Sequence, residues 1–261
     1  MNTDHIYKEN KILELAILSV IGDREEQQDS FGYEIKENDC IVSVCDGMGG
    51  HKGGQKASST AVSFIVDTYK KTYPQDNMVA FLNDVTVEAD KRVAELKEID
   101  GNSLNAGSTM VTIYIRGDEL YWSSVGDSRL YIMREEELVQ VTLDHNYHEY
   151  LKEQFVNGQI TKEVYEKEDR RGEALINFLG VGGLQIIDHN DDPLKLFSGD
   201  KLIITTDGLY KVIDDETICS LVSNFGNIEE ALNVLEVKTS KTAKKKSVVR
   251  DNMTVALIKI K

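Results

Sequence analysis

Proline is nearly missing from this chain: its 261 residues include only Pro74 and Pro193, and no Gly/Ser-rich or charge-block segment separates one half from the other. Without a linker, a single domain spanning residues 1–261 is expected, long enough to bury a large core. Cysteine is scarce too. Cys40, Cys45 and Cys219 are odd in number and follow no zinc or redox spacing, so they read as ordinary buried thiols in a reducing compartment. No apolar run approaches membrane-spanning length, and residues 1–10 lack the apolar core of a secretion signal, so a soluble cytoplasmic protein is expected. Positive charge is also in deficit: 30 Lys and Arg stand against 45 Asp and Glu, a net charge of −15. That field repels nucleic acid and anionic membranes, and neither is expected as a partner. A phosphate-bearing substrate then needs a locally positive site, supplied by metal ions or basic side chains.

What the chain does contain is a set of short apolar runs that end in small residues and acids. Residues 41–45 read as a buried strand with Asp46 at its mouth, and Gly47-Met48-Gly49-Gly50-His51 reads as a tight turn. Asp46 can bind a hard cation there, and Gly47, lacking a side chain, lets its carbonyl oxygen approach the same ion; the alternative is an Asp that caps the next helix. Two further strands, 12–21 and 30–35, precede this stretch. Amphipathic stripes predict helices over 55–71 and 78–96. Four strands follow at 108–115, 120–125, 129–133 and 138–141, joined by turns short enough to predict antiparallel pairing. Helices are expected over 147–157 and 161–167, strands over 184–187 and 202–205, then helices from about 215 and 228. Asn227 and Glu230 stand in capping-box positions, and a strand closes the chain at 253–260. Strands arriving in batches with helices in pairs predict an α+β fold of antiparallel sheets covered by helices.

Four more aspartates share the context of Asp46, at a strand end or adjoining turn among small residues: Asp29, Asp127, Asp207 and Asp251. Sheets gather strand ends along common edges, so these carboxylates can converge, and like charges converge cheaply only around cations. All-oxygen ligands favour magnesium or manganese over zinc. Each Asp taken singly is an ordinary turn former or cap; the argument rests on the set.

Five ordered motifs carry a family resemblance: Asp46-Gly47-Met48-Gly49-Gly50-His51, Gly126-Asp127-Ser128-Arg129, Thr142-Leu143-Asp144-His145, Asp207-Gly208-Leu209 and Asp251-Asn252-Met253-Thr254-Val255. From about Leu13 to Ile260 the chain resembles the metal-dependent protein serine/threonine phosphatases of type 2C, in their bacterial form. The resemblance implies a four-layer αββα sandwich of two antiparallel sheets flanked by helices, with two Mn2+ or Mg2+ ions at one edge. By the same resemblance Asp46 bridges both metals, the Gly47 carbonyl binds one, Asp207 and Asp251 bind the other, Asp29 acts through metal-bound water, and Arg24 grips the substrate phosphate. Judged without the family, Arg24 is a surface residue paired with Glu25 or Glu26. The implied reaction is hydrolysis of phosphoserine and phosphothreonine by a hydroxide bridging the two metals, without a phosphoenzyme. Phosphorylated proteins, products of a serine/threonine kinase, are the implied substrates, and the enzyme is expected to be a monomer.

The chain departs from the family pattern in places. Met48 stands where many eukaryotic members carry a histidine, leaving the general acid unassigned, and Gln28 replaces a common Glu. Lys211 stands where many members carry an aspartate beside a third metal site to which Asp127 also contributes, so a weak or absent third site is expected. Asp144-His145-Asn146 opens a segment running through Arg170-Arg171 to Asn177-Phe178-Leu179-Gly180 that matches the family's flap; buried turn residues are the plainer reading of Asp144 and His145. The run Lys241, Lys244-Lys245-Lys246 and Arg250 is either a solvated face or an attractor of acidic phosphopeptides. Two alternatives to the phosphatase are a non-catalytic phospho-ligand-binding domain of the same fold and a two-metal phosphodiesterase or nuclease, the latter disfavoured by the charge.

Overall fold

The central strands of this chain are buried on both faces, and the alternation of side chains assigns each face its own neighbour. Along Leu13–Val20, Leu13, Leu15 and Ile17 join one apolar cluster while Ala16, Leu18 and Val20 join another. Cys40, Val42 and Val44 likewise separate from Ile41 and Cys45. Such near-continuous apolar strands, period two within them, need a cover on each side.

The computed structural model describes residues 3–50 and 52–261. In chain order the elements are β1 (Thr3–Glu9), β2 (Leu13–Val20), β3 (Asp29–Ile35), β4 (Asp39–Met48), α1 (Gly53–Thr72), α2 (Met78–Ala94), β5 (Gly107–Ser108), β6 (Met110–Arg116), β7 (Glu119–Val125), β8 (Arg129–Arg134) and β9 (Glu137–Gln140). There follow α3 (Tyr147–Val156), α4 (Lys162–Glu168), a 3-10 turn (Asp169–Arg171), β10 (Asp188–His189), β11 (Leu194–Lys195), β12 (Lys201–Thr205), α5 (Asp207–Tyr210), α6 (Asp215–Ser223), α7 (Ile228–Lys246) and β13 (Met253–Ile260). One sheet has the order β1-β2-β13-β12-β8-β9; the other has β10-β7-β6-β4-β3, with β11 on β7 and β5 on β4. All pairings are antiparallel.

The layers follow from the clusters. Leu13, Val42, Ile113, Leu202 and Ile258 meet between the sheets. Helices α6 and α7 cover the first sheet through Ile218, Leu232 and Leu235, and α1 and α2 cover the second through Ile65, Leu82 and Val85. The arrangement is the expected αββα sandwich. Each fully buried Leu, Ile or Val contributes about 1.5–3 kcal/mol by leaving water.

The structure differs from the sequence expectation at several points. A polar strand, β1, pairs with β2 from Glu14 to Val20 as the sheet's edge. The strands β7 and β8 do not pair: Gly126-Asp127-Ser128 carries the chain from the second sheet to the first. Residues 184–187 are not a strand; the pairing begins one residue later at Asp188. Nor does β4 stop at Asp46, because Gly47 and Met48 extend it against Ser108 and Gly107. Cys219 is partly exposed, while Cys40 and Cys45 are buried. His51 lies outside the described residues.

Candidate metal centre

Register brings the acids to one end of both sheets. Asp29 opens β3 and stands opposite Asp46 on β4. At the same end of that sheet Met110 pairs with Val125, so the crossing at Gly126–Ser128 carries Asp127 directly to Arg129, which pairs with Thr205 of the first sheet. Asp207 begins two residues after Thr205, and Asp251 precedes Met253, which pairs with Val20. A cavity of about 700 Å3 opens there, lined by Asp46, Gly47, Asp127, Asp207, Asp251 and Arg24 among others. Asp29 is 5 % exposed and sits behind this lining.

Local sequence explains why the carboxylates hold still. A Cβ on Gly47 would stand 2.0 Å from the carbonyl oxygen of Gly54, and one on Gly208 would stand 2.0 Å from that of Asn252. The glycine after Asp46 and the one after Asp207 are therefore required by close backbone packing. Thr206 donates to Asp29 Oδ2 at 2.9 Å, tying the two sheets together. Asn252 accepts from the Gln28 amide and donates to the carbonyls of Ile21 and Glu26, which fixes the loop carrying Arg24. Neither Thr206 nor Asn252 stood out as a site residue in the sequence; an Asx side chain beside a motif aspartate is the signal that marks the second.

The cationic side chains on the lining are engaged. Arg24 Nη2 lies 2.6 Å from Asp251 Oδ2, so its partner is not Glu25 or Glu26. Lys211 Nζ lies 2.8 Å from Asp207 Oδ2 and 3.6 Å from Asp127 Oδ2. Asp144 forks onto Arg129, and His145 Nδ1 accepts the Gly126 amide, so both are tied into the turn, His145 buried and Asp144 half-buried. None of Lys241, Lys244, Lys245 and Lys246 lines the cavity.

Burial first raises the carboxyl pKa of both Asp29 and Asp46; repulsion from neighbouring aspartates adds to it at Asp46, while at Asp29 hydrogen bonds to Thr254 and Thr206 oppose it before the repulsion of Asp207 and Asp251. Burial pushes Asp127 up to about 6, against the pull of Lys211. Acids so placed ionise readily only beside added positive charge. Two buried oxygens, Asp29 Oδ1 and Asp207 Oδ1, have no hydrogen-bond partner. A Cβ on Gly54 would crowd the Gly47 carbonyl oxygen to 2.6 Å, so Gly54 leaves room on that side. Among the described residues no group of three or more His, Cys, Asp or Glu is placed to hold a metal ion by side chains alone. The all-oxygen donors of the cavity are of the kind that hard divalent cations keeping several waters, such as Mg2+ and Mn2+, accept.

An αββα sandwich with an acidic, oxygen-lined cavity at one end of both sheets defines a class of α+β protein with a candidate site for hard cations. Within it, a family model described as protein phosphatase 2C matches residues 19–241, and the chain belongs to that family. The serine/threonine phosphatase Stp of Listeria monocytogenes is 29 % identical over 240 residues, covering 90 % of each chain. Protein phosphatase PhpP of Streptococcus pneumoniae is 28 % identical over 252 residues, covering 94 % of this chain and 97 % of its own. The fold superposes on the S. agalactiae serine/threonine phosphatase with a TM-score of 0.80 at 24 % identity, over 95 % of this chain and all of that one. It also matches the catalytic domain of the phosphatase PstP in complex with two manganese ions, with a TM-score of 0.74 at 24 % identity, over 95 % and 98 % of the two chains. No helix among the described residues is long and apolar enough to cross a membrane.

Proposed function

We propose that this chain is a Mn2+- or Mg2+-dependent phosphatase of phosphoserine and phosphothreonine in proteins, the products of a serine/threonine kinase. The observation that carries the reading is the meeting of carboxylates from both sheets around one cavity, two of their buried oxygens lacking any partner. Asp46, Asp207, Asp251 and the Gly47 carbonyl would hold two cations, with Asp29 acting through water. Divalent cations, when bound, supply charge that acidifies water and neutralises phosphoryl oxygens.

The chain's own residues do the rest. Arg24, at the cavity rim beside Asp251, is the guanidinium for the phosphate dianion, whose oxygens it matches as a fork. Asp29, raised in pKa by burial, is fixed by Thr206 on one oxygen and leaves the other for water. Direct attack of water on phosphorus needs no side-chain nucleophile: Cys40 and Cys45 are buried with thiols pushed up in pKa, Cys45 to about 12. No phosphoenzyme forms on this route, and trapping one would overturn it. Lys211 supplies charge where a third cation would otherwise sit, so that site is weak or absent.

One assay separates the alternatives. Manganese-dependent hydrolysis of a small aryl phosphate monoester, absent in Asp207→Asn, is expected. Cleavage of the diester would mean a phosphodiesterase. Metal-independent binding of phosphopeptide with no turnover would mean a non-catalytic domain.

A further inference from the structure

We propose that Lys211 and Glu173 are positioning residues that dock the outer part of the flap over the acidic cavity. The inference rests on the distribution of contacts between residues 143 and 187. The two ends of this segment are sewn to the sheets and to α2: His145 exchanges hydrogen bonds with Gly126, Leu179 pairs with Ser108, and the Gly180 amide donates to Asp90 of α2. The outer part, residues 148–173, is bonded to itself. His148 meets Asp169 at 2.6 Å and Gly172 through its amide, and Phe155 packs on Tyr165. Leu151 is the one buried residue of α3, α4 and the 3-10 turn together.

Among the described residues, a single ion pair or hydrogen bond joins residues 148–173 to the chain outside the flap. It runs from Glu173 Oε2 to Lys211 Nζ at 2.8 Å. The same ammonium holds Asp207 and stands near Asp127. Glu173 and Leu175 form the flap's share of the cavity wall. One cation therefore serves two purposes, neutralising the carboxylates of the centre and fastening the wall that a phosphoprotein would touch. Whatever draws Lys211 away from Glu173 frees the outer flap without disturbing its sewn ends.

An exposed pair of this kind is weak, and Glu173 is 78 % exposed, so the outer flap belongs to the low-stability end of the molecule. Amide exchange followed peptide by peptide on the full chain tests the proposal. Glu173→Gln and Lys211→Met each accelerate exchange in residues 148–173 by about two- to fivefold, with β4, β6 and β13 unchanged, and the double variant matches either single one. Wild-type exchange rates in Glu173→Gln, or additive effects in the double variant, would overturn it. The positioning role itself rests on the phosphatase reading and has its own readout. In Glu173→Gln the KM for a phosphothreonine peptide rises more than the KM for a small aryl phosphate; equal shifts would show that the pair does not position the substrate protein. A chain with no turnover at all would sink the phosphatase reading and leave the exchange result standing.

Discussion

Replacing Lys211 with aspartate removes an ammonium that stands 2.8 Å from Asp207 and 3.6 Å from Asp127 and puts a carboxylate in its place. The change converts a self-neutralised corner into one short of positive charge, so Lys211→Asp is expected to bind an additional divalent cation. Calorimetric titration with Mn2+ checks this, and unchanged stoichiometry and affinity would contradict it. His145 makes a second residue-level case. Its Nδ1 accepts the Gly126 amide at 3.2 Å, which requires the neutral ring, and burial lowers its pKa from the ordinary 6.5. Below pH 6.5 the unfolded chain takes up a proton that the folded chain refuses. Stability from this group is therefore whole above that pH and is lost as the pH falls through it. Melting temperatures followed from about pH 7 down to pH 5 should fall less steeply in His145→Asn than in the wild type. Single residues were legible in unequal measure. Asp46 and Asp207 could be picked out because strand, acid and glycine fall together in sequence, and Asp251 because it stands with Asn252 just before a strand, whereas the pairing of Arg24 with Asp251 joins residues 227 positions apart and leaves no local trace.

Helix α7 shows how much an element can owe to its first residue. The side chain of Asn227 accepts from the amides of both Glu229 and Glu230, and Glu229 and Glu230 place negative charge in the first turn. Removing that cap in Asn227→Ala should cost about 1 kcal/mol, seen as a lowered midpoint in denaturant with an unchanged slope. Elements of this sort were readable from the sequence, because caps and a 3.6-residue stripe are local. Their pairing was not. The four-residue spacing between Val125 and Arg129 reads as a hairpin, yet Gly126 takes a φ of 98° and passes close to Thr109, where a Cβ would meet its Cγ2 at 2.7 Å. That conformation sends the chain into the other sheet. The hairpin between β8 and β9, which lacks glycine, turns through Glu135 and Glu136 with φ of 49° and 67°, a left-handed pair that side chains adopt at some cost. The edge strand β1 escaped notice because the residues of Thr3–Glu9 are mostly exposed and polar and carry no buried face to give a period.

At the scale of the molecule, the layer between the sheets decides whether the chain behaves as one unit. Val42, Val111 and Ile113 from one sheet and Leu15, Ile204 and Ile258 from the other are fully buried together. Neither sheet keeps that face dry without its partner, and the proposed centre takes carboxylates from both. One cooperative unfolding transition is therefore expected, as a single domain over residues 1–261 requires. The sole tryptophan offers a test, since Trp122 lies on β7 of the second sheet. Its fluorescence reports that sheet, while far-ultraviolet circular dichroism reports the whole backbone, and coincident transitions are the mark of a single unit. Ile113→Ala sharpens the comparison, because it empties a site in the shared layer at a cost of about 2–5 kcal/mol. Both signals should shift together and by the same amount. If the fluorescence transition moves while part of the dichroism stays at the wild-type midpoint, the sheets are folding separately, and a centre built from both could not survive the loss of either.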